Sequence, residues 1–133
     1  MSVGQFVFML HSHLPYYRKA GMWPFGEENL YECMAETYIP LLNAISELYD
    51  EGIKAKLTVG ITPILAEQLN DQHLKEGFVK YVDSRIAQVS KDLERYPDPK
   101  VPHSQHLKYL AKYYFDWFTN IKNSFVNKYG MDL

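Results

Sequence analysis

Residues 5 to 10, QFVFML, form a continuous apolar run that is partly β-branched, the pattern of a parallel strand buried on both faces. The run gives way to HSHLPYYRKAGMWPFGEEN, a stretch with two prolines and two glycines that is too long for a plain connection. It predicts an ordered loop, the kind of segment on which binding groups concentrate. Leu30, Met34, Tyr38, Leu41, Leu42, Ile45 and Leu48 then recur at helical spacing between Leu30 and Tyr49, and Gly52 ends the pattern. Pro40 inside it predicts a kink or a split. KAKLTVGI, residues 54 to 61, reads as a second strand, and TPILAEQLND opens a helix with Thr62 as N-cap and Pro63 at the first helical position. A further helical pattern runs from Gly77 to about Tyr96, YPDPKVPH breaks it, and an amphipathic helix spans about Ser104 to Tyr129 before Gly130.

Buried strands alternating with helices imply parallel pairing and right-handed crossovers, an α/β architecture. A chain of 133 residues is long enough for one domain with a core. Two strands do not close a sheet, however, and a complete α/β barrel runs to roughly 250 residues. The expected fold is therefore the opening portion of something larger.

Charge narrows the partners. Fourteen Lys and Arg against sixteen Asp and Glu give a net −2, spread without blocks, which points away from nucleic acid and from an acidic membrane surface. The run FVFML is too short for a membrane span or a secretory leader, and Cys33 stands alone. Both suit a reducing, cytoplasmic location. Aromatic residues reach 15%, with eleven Tyr. Rings serve cores and also the platforms on which sugars and bases stack. The helical spacing of the rings in YLAKYYFDWF, residues 109 to 118, predicts core packing for them.

In α/β folds the C-terminal ends of the strands carry the chemistry, and HSHLP and GITP both fall there. Side chains alternate along an extended backbone, so His11 and His13 share a face while Ser12 points away. Such a pair can supply two nitrogens to a zinc-type site. No third ligand is evident, since His73, His103 and His106 lie on helical or linker segments. The plainer alternative is one hydrogen-bonded and one exposed strand-end histidine.

Taken whole, residues 5 to about 70 resemble the N-terminal region of glycoside hydrolase family 57, above all its α-1,4-glucan branching group. HSHLPY matches the family's first signature, WPFGEE followed by YE matches a loop and helix of the branching group, and GITPILAEQL matches the second signature. The resemblance implies an incomplete seven-fold (β/α) barrel, with a signature-bearing βαβ region at 5–70 and a helical region at 77–130. It implies retaining chemistry on α-glucans by double displacement, without a cofactor. It makes His11 and His13 binders of sugar hydroxyls rather than metal ligands. Trp23 becomes a loop ring that stacks on glucose, and Glu67 a carboxylate at the cleft end of a helix. The plainer alternatives are a Trp23 that packs the loop onto the barrel and a Glu67 that compensates a helix dipole. Tyr16, Tyr17, Glu27 and Glu28 share the loop, with solvated residues as their plain alternative.

Retaining chemistry needs a nucleophilic and an acid/base carboxylate roughly 5–5.5 Å apart. The family's pair comes from later signatures, and no residue here matches either. No catalytic residue is therefore assigned, and the chain alone is expected to be inactive. Its expected partners are an α-glucan and either the rest of the barrel from another chain or further copies of itself. Two other readings stay open: a metal-dependent hydrolase using the His-x-His pair, and a non-catalytic remnant of a split or truncated gene.

Overall fold

The computed structural model describes residues 3, 4 and 6–133. Two short strands, β1 (Met9–Ser12) and β2 (Thr58–Ile61), pair in parallel, Met9 opposite Thr58 and Ser12 opposite Ile61. Between them run α1 (Glu27–Cys33), a π-helical turn (Met34–Tyr38) and α2 (Ile39–Asp50). Three helices follow: α3 (Pro63–Asn70), α4 (Gln72–Arg95) and α5 (Ser104–Asn123), the last extended by a second π-helical turn (Ser124–Lys128). This is the β-α-β grammar of an α/β barrel, and the described residues supply two parallel strands of one.

The strands depart from the apolar runs in extent and cover. Thr58 N–H donates to Phe8 O at 3.0 Å, so pairing begins only where β2 lies alongside, and β1 starts at Met9 rather than at residue 5, which lies outside the described residues. Burial on both faces is not found. Leu10, Ser12, Val59 and Ile61 turn toward Leu41, Leu42 and Ile45 of α2 and Leu65 of α3. The opposite face, with Met9, His11 and Thr58, is exposed, because no helix of the described residues packs on it, and cover on the helix side is partial, with Val59 and Ile61 still exposed.

The helices follow local chemistry closely. Pro40 lacks an N–H and its ring crowds the carbonyl four residues back. The chain meets this with the wide turn at Met34–Tyr38, so that Pro40 sits in the first turn of α2. Thr62 holds the N-cap position in an extended conformation, yet its side chain does not cap: Oγ1 is buried without a hydrogen-bond partner. Asp71 does cap, accepting from Leu74 N–H at 3.1 Å, and this starts α4 at Gln72, five residues before the expected Gly77.

The core is helical rather than sheet-centred. Leu30, Tyr31, Met34, Ala35 and Ile39 pack with Leu65 of α3, Leu74, Phe78 and Val82 of α4, Ile121 of α5 and Phe125 of the final turn. Phe78 and Phe125 meet edge to face, with centroids 4.8 Å apart. Each such ring or aliphatic side chain contributes on the order of 1.5–3 kcal/mol when fully buried. The 109–118 segment corrects a sequence expectation: Trp117 and Phe118 pack against this core, but Tyr109, Tyr113 and Tyr114 are exposed. Tyr113 stacks on Trp117 and Tyr114 on Phe118, so helical spacing builds a second aromatic layer outside the first.

Tyr31 is fully buried, and α4 passes it at Gly77, where an added Cβ would stand 2.0 Å from Tyr31 Oη and 2.8 Å from Cζ. Replacing a glycine inside a helix by alanine ordinarily gains about 1 kcal/mol. Here the ring would have to leave its contacts with Phe78 and Tyr81 and its hydrogen bond to Glu27, and Gly77→Ala is expected to lower stability by about 1–3 kcal/mol in urea unfolding. A gain would show that the ring yields.

Candidate functional site

His11 lies on β1 opposite Gly60, and His13 follows one residue beyond the strand. Alternation turns both side chains to the same face. Both imidazoles are exposed, with ring centroids 6.5 Å apart and planes inclined at 48°. Parallel pairing puts the C-terminal ends of β1 and β2 side by side, and Thr62 N–H donates to Ser12 O at 3.2 Å, carrying the ladder to the residue that opens α3. The His11 ring leans over β2. A Cβ added at Gly60 would stand 3.0 Å from His11 Nδ1, so the glycine of GITP leaves the room the imidazole occupies.

The loop after His13 is fastened to the helices at several points. Gln68, on α3, accepts from Tyr17 N–H at 2.7 Å and donates to Pro15 O at 2.9 Å. Arg18 pairs with Asp71 at 2.6 Å. Glu27 is only 6% exposed; it accepts from Lys19 N–H at 2.7 Å and Tyr31 Oη at 3.0 Å and contacts His73 Nε2 at 2.9 Å. Glu28 pairs with Arg85. Glu27, Glu28, His73 and Arg85 line, with Met22 and Tyr31, a cavity of about 520 Å³ between the loop and α4. The loop also closes on itself: Glu27 N–H donates to Gly21 O at 2.9 Å, and a Cβ at Gly26 would stand 2.1 Å from that oxygen.

These contacts set the ionisation of the cluster. Burial works to raise the Glu27 carboxyl, but the hydrogen bonds from Lys19, His73 and Tyr31 outweigh it and hold the group below its ordinary value. Burial, then the Glu27 carboxylate, push the Tyr31 phenol up, so it stays a donor. Burial likewise opposes ionisation of Asp71, while the Leu74 N–H and Arg18 draw it below the usual carboxylate range.

Of the residues singled out by sequence, His11 and His13 are brought together. Trp23 is 77% exposed on the loop, and Glu67 is exposed on α3; neither makes a hydrogen bond, ion pair or ring contact with the histidines. Among the described residues no group of three or more His, Cys, Asp or Glu gathers in a way that could hold a metal. Glu27 and Glu28 are not solvated loop carboxylates; they latch the loop to α4. Sequence reasoning passed over Gln68. The signal was a polar residue on the same helical face as Leu65 and Leu69, where a buried amide requires a partner.

A profile of glycosyl hydrolase family 57 matches residues 7–129. The chain belongs to glycosyl hydrolase family 57. It is 42% identical over 116 residues to a 1,4-alpha-glucan branching enzyme of Thermococcus kodakarensis, covering 86% of this chain and 17% of that protein. Among solved structures it is similar to the family 57-type branching enzyme of Pyrococcus horikoshii, with TM-score 0.83, 37% identity, and coverage of 94% of this chain and 23% of that one. It is also similar to the alpha-amylase AmyC of Thermotoga maritima, with TM-score 0.73, 33% identity, and coverage of 92% and 22%. The chain thus spans less than a quarter of these family 57 relatives.

Two expected outcomes follow from this geometry. Gly60→Ala should displace the His11 imidazole and shift its NMR signals while β-pairing amides stay protected; unchanged signals would show spare room. Because the Glu27 carboxyl is lowered, its contribution to stability is complete above its ordinary value of about 4.5 and is lost as pH falls through the lower folded-state value. Urea midpoints should therefore fall less steeply with acid in Glu27→Gln, itself less stable at neutral pH, than in the parent. Parallel slopes would remove Glu27 from the acid response.

Proposed function

We propose that this chain is the N-terminal part of a family 57 barrel that acts on α-glucans, most closely as a 1,4-α-glucan branching enzyme of the retaining type. The observation that carries the reading is the exposed His11–His13 pair on one face at the C-terminal end of β1, beside the end of β2. In α/β folds that edge is where ligands bind. His11 and His13 serve as hydrogen-bonding groups for sugar hydroxyls, Trp23 offers an exposed indole to a glucose ring, and Glu67 stands on the helix that opens at the same edge. The branching activity named for the relatives supports an α-glucan substrate. Similarity to an alpha-amylase supports hydrolysis as the second reading.

No carboxylate stands at either strand end, and Glu67 has no ion-pair or hydrogen-bond partner among the described residues. A nucleophile and an acid/base come from outside this chain, since one carboxylate cannot perform both displacement and proton transfer. The open sheet edges and the exposed Phe6, Val7, Phe8 and Met9 suit pairing with further strands, from another polypeptide segment or a second copy. The reading extends to a cytoplasmic enzyme that makes a glycogen-like polymer; the lone cysteine of this chain, Cys33, is half-buried and free, which suits a reducing compartment. Among the described residues no helix is long and apolar enough to cross a membrane.

Calorimetric titration with maltoheptaose is expected to show binding, and the double variant His11→Ala, His13→Ala to weaken it at least tenfold, or about 1.4 kcal/mol. The same protein should give no iodine-stain change on amylose and should elute above monomer size. Absence of binding would overturn the glucan reading. Turnover abolished by Glu67→Gln would overturn the assignment of catalysis to residues outside the chain.

A further inference from the structure

Within GITPILAEQL, the side chain that reaches the first signature is not Glu67 but its neighbour. Gln68 is 1% exposed, and every polar atom of its amide is engaged with main chain. Oε1 accepts from Tyr17 N–H at 2.7 Å; Nε2 donates to Pro15 O at 2.9 Å and to Ile64 O at 3.3 Å within its own helix. The two loop groups flank Tyr16, so one rigid, planar amide grips both ends of a short segment that begins two residues after His13.

A leucine or methionine at position 68 would suit the apolar neighbours Leu65 and Leu69 and satisfy packing on α3. It would also leave Pro15 O and Tyr17 N–H without their partner, and a polar group left buried and unpaired keeps its full desolvation cost. The amide is therefore directed at the loop rather than at the core. It also reads direction: a carboxylate of the same shape could still accept from Tyr17 but would set an acceptor against Pro15 O. A second, independent fastening lies three residues on, where Asp71 both caps α4 and pairs with Arg18.

We propose that Gln68 is the positioning residue of the candidate sugar site: its amide fixes the Pro15–Tyr17 backbone and thereby holds His13 at the strand edge beside His11. The sugar part of this rests on the α-glucan reading above; the positioning part does not.

Gln68→Met keeps length and removes both loop hydrogen bonds, and Gln68→Glu keeps only the one from Tyr17. In Gln68→Met, exchange of the Tyr17 amide should rise at least tenfold, the His13 imidazole signals should shift, and the Lys19 amide, held by Glu27, should stay protected. Maltoheptaose affinity should fall at least tenfold. In Gln68→Glu the Tyr17 amide should stay protected while the His13 signals and the affinity change, and this variant carries the test if Gln68→Met does not fold. His13 signals unmoved in a folded variant would overturn the proposal and reduce Gln68 to a buried filler. Signals that shift with affinity unchanged would overturn its bearing on sugar binding. A parent protein that binds no maltoheptaose, yet whose His13 responds to Gln68 substitution, would overturn the glucan reading and support the positioning role.

Discussion

The rest of the structure depends on the burial of one phenol. Tyr31 sits without solvent contact where α1 meets α4, its ring against Phe78 and Tyr81 and its hydroxyl on Glu27. A buried hydroxyl needs a partner, and the partner it takes is a carboxylate that is itself buried and needs several donors. Glu27 collects them from Lys19 in the loop and His73 on α4. The requirement to satisfy one polar atom in an apolar core thus ties loop, first helix and fourth helix together, and the absence of a side chain at Gly77 lets the helices approach closely enough for it to happen.

The sheet contributes less to cohesion than its position suggests. Two four-residue strands expose one face, much of β2 on the other and both outer edges, while the apolar contacts that hold the chain together run among helices. The strands serve to aim: they carry His11 to an edge, set Gly60 opposite it, and deliver the chain to α3 at the right height for Gln68 to meet the loop.

Much of this was legible from sequence where a local rule decides the outcome. Pro40 announced a disturbed helix, Pro63 a helix start, and the alternation of His11 and His13 a shared face. Rules that depend on neighbours failed. The apolar run at the N-terminus read as a fully buried strand because periodicity reports what a segment can bury and not whether anything lies against it. The start of α4 was misplaced because Asp71 caps through a side chain that, in the sequence, looks like one more loop acid. Tyr109, Tyr113 and Tyr114 read as core because a helical stripe says which residues are neighbours and leaves open whether they form the first layer or the second. Gln68 is hidden for a related reason: its partners are backbone groups, which carry no residue identity, whereas Glu27 gathers one backbone N–H and two side chains, Tyr31 and His73, from separate elements.

The Gln68 bridge has a consequence for how such a fold can be recombined. Two motifs more than fifty positions apart, which look like separate landmarks, share a pair of hydrogen bonds and behave as one object. A loop transplanted into another barrel with its own α3 and α4 would arrive with Pro15, Tyr17, Arg18 and Lys19 facing strangers. The transferable unit is a discontinuous cassette of residues 11–28, Gly60, Gln68, Asp71 and His73, and chimaeras cut between its pieces should inherit the loop's sequence without its shape.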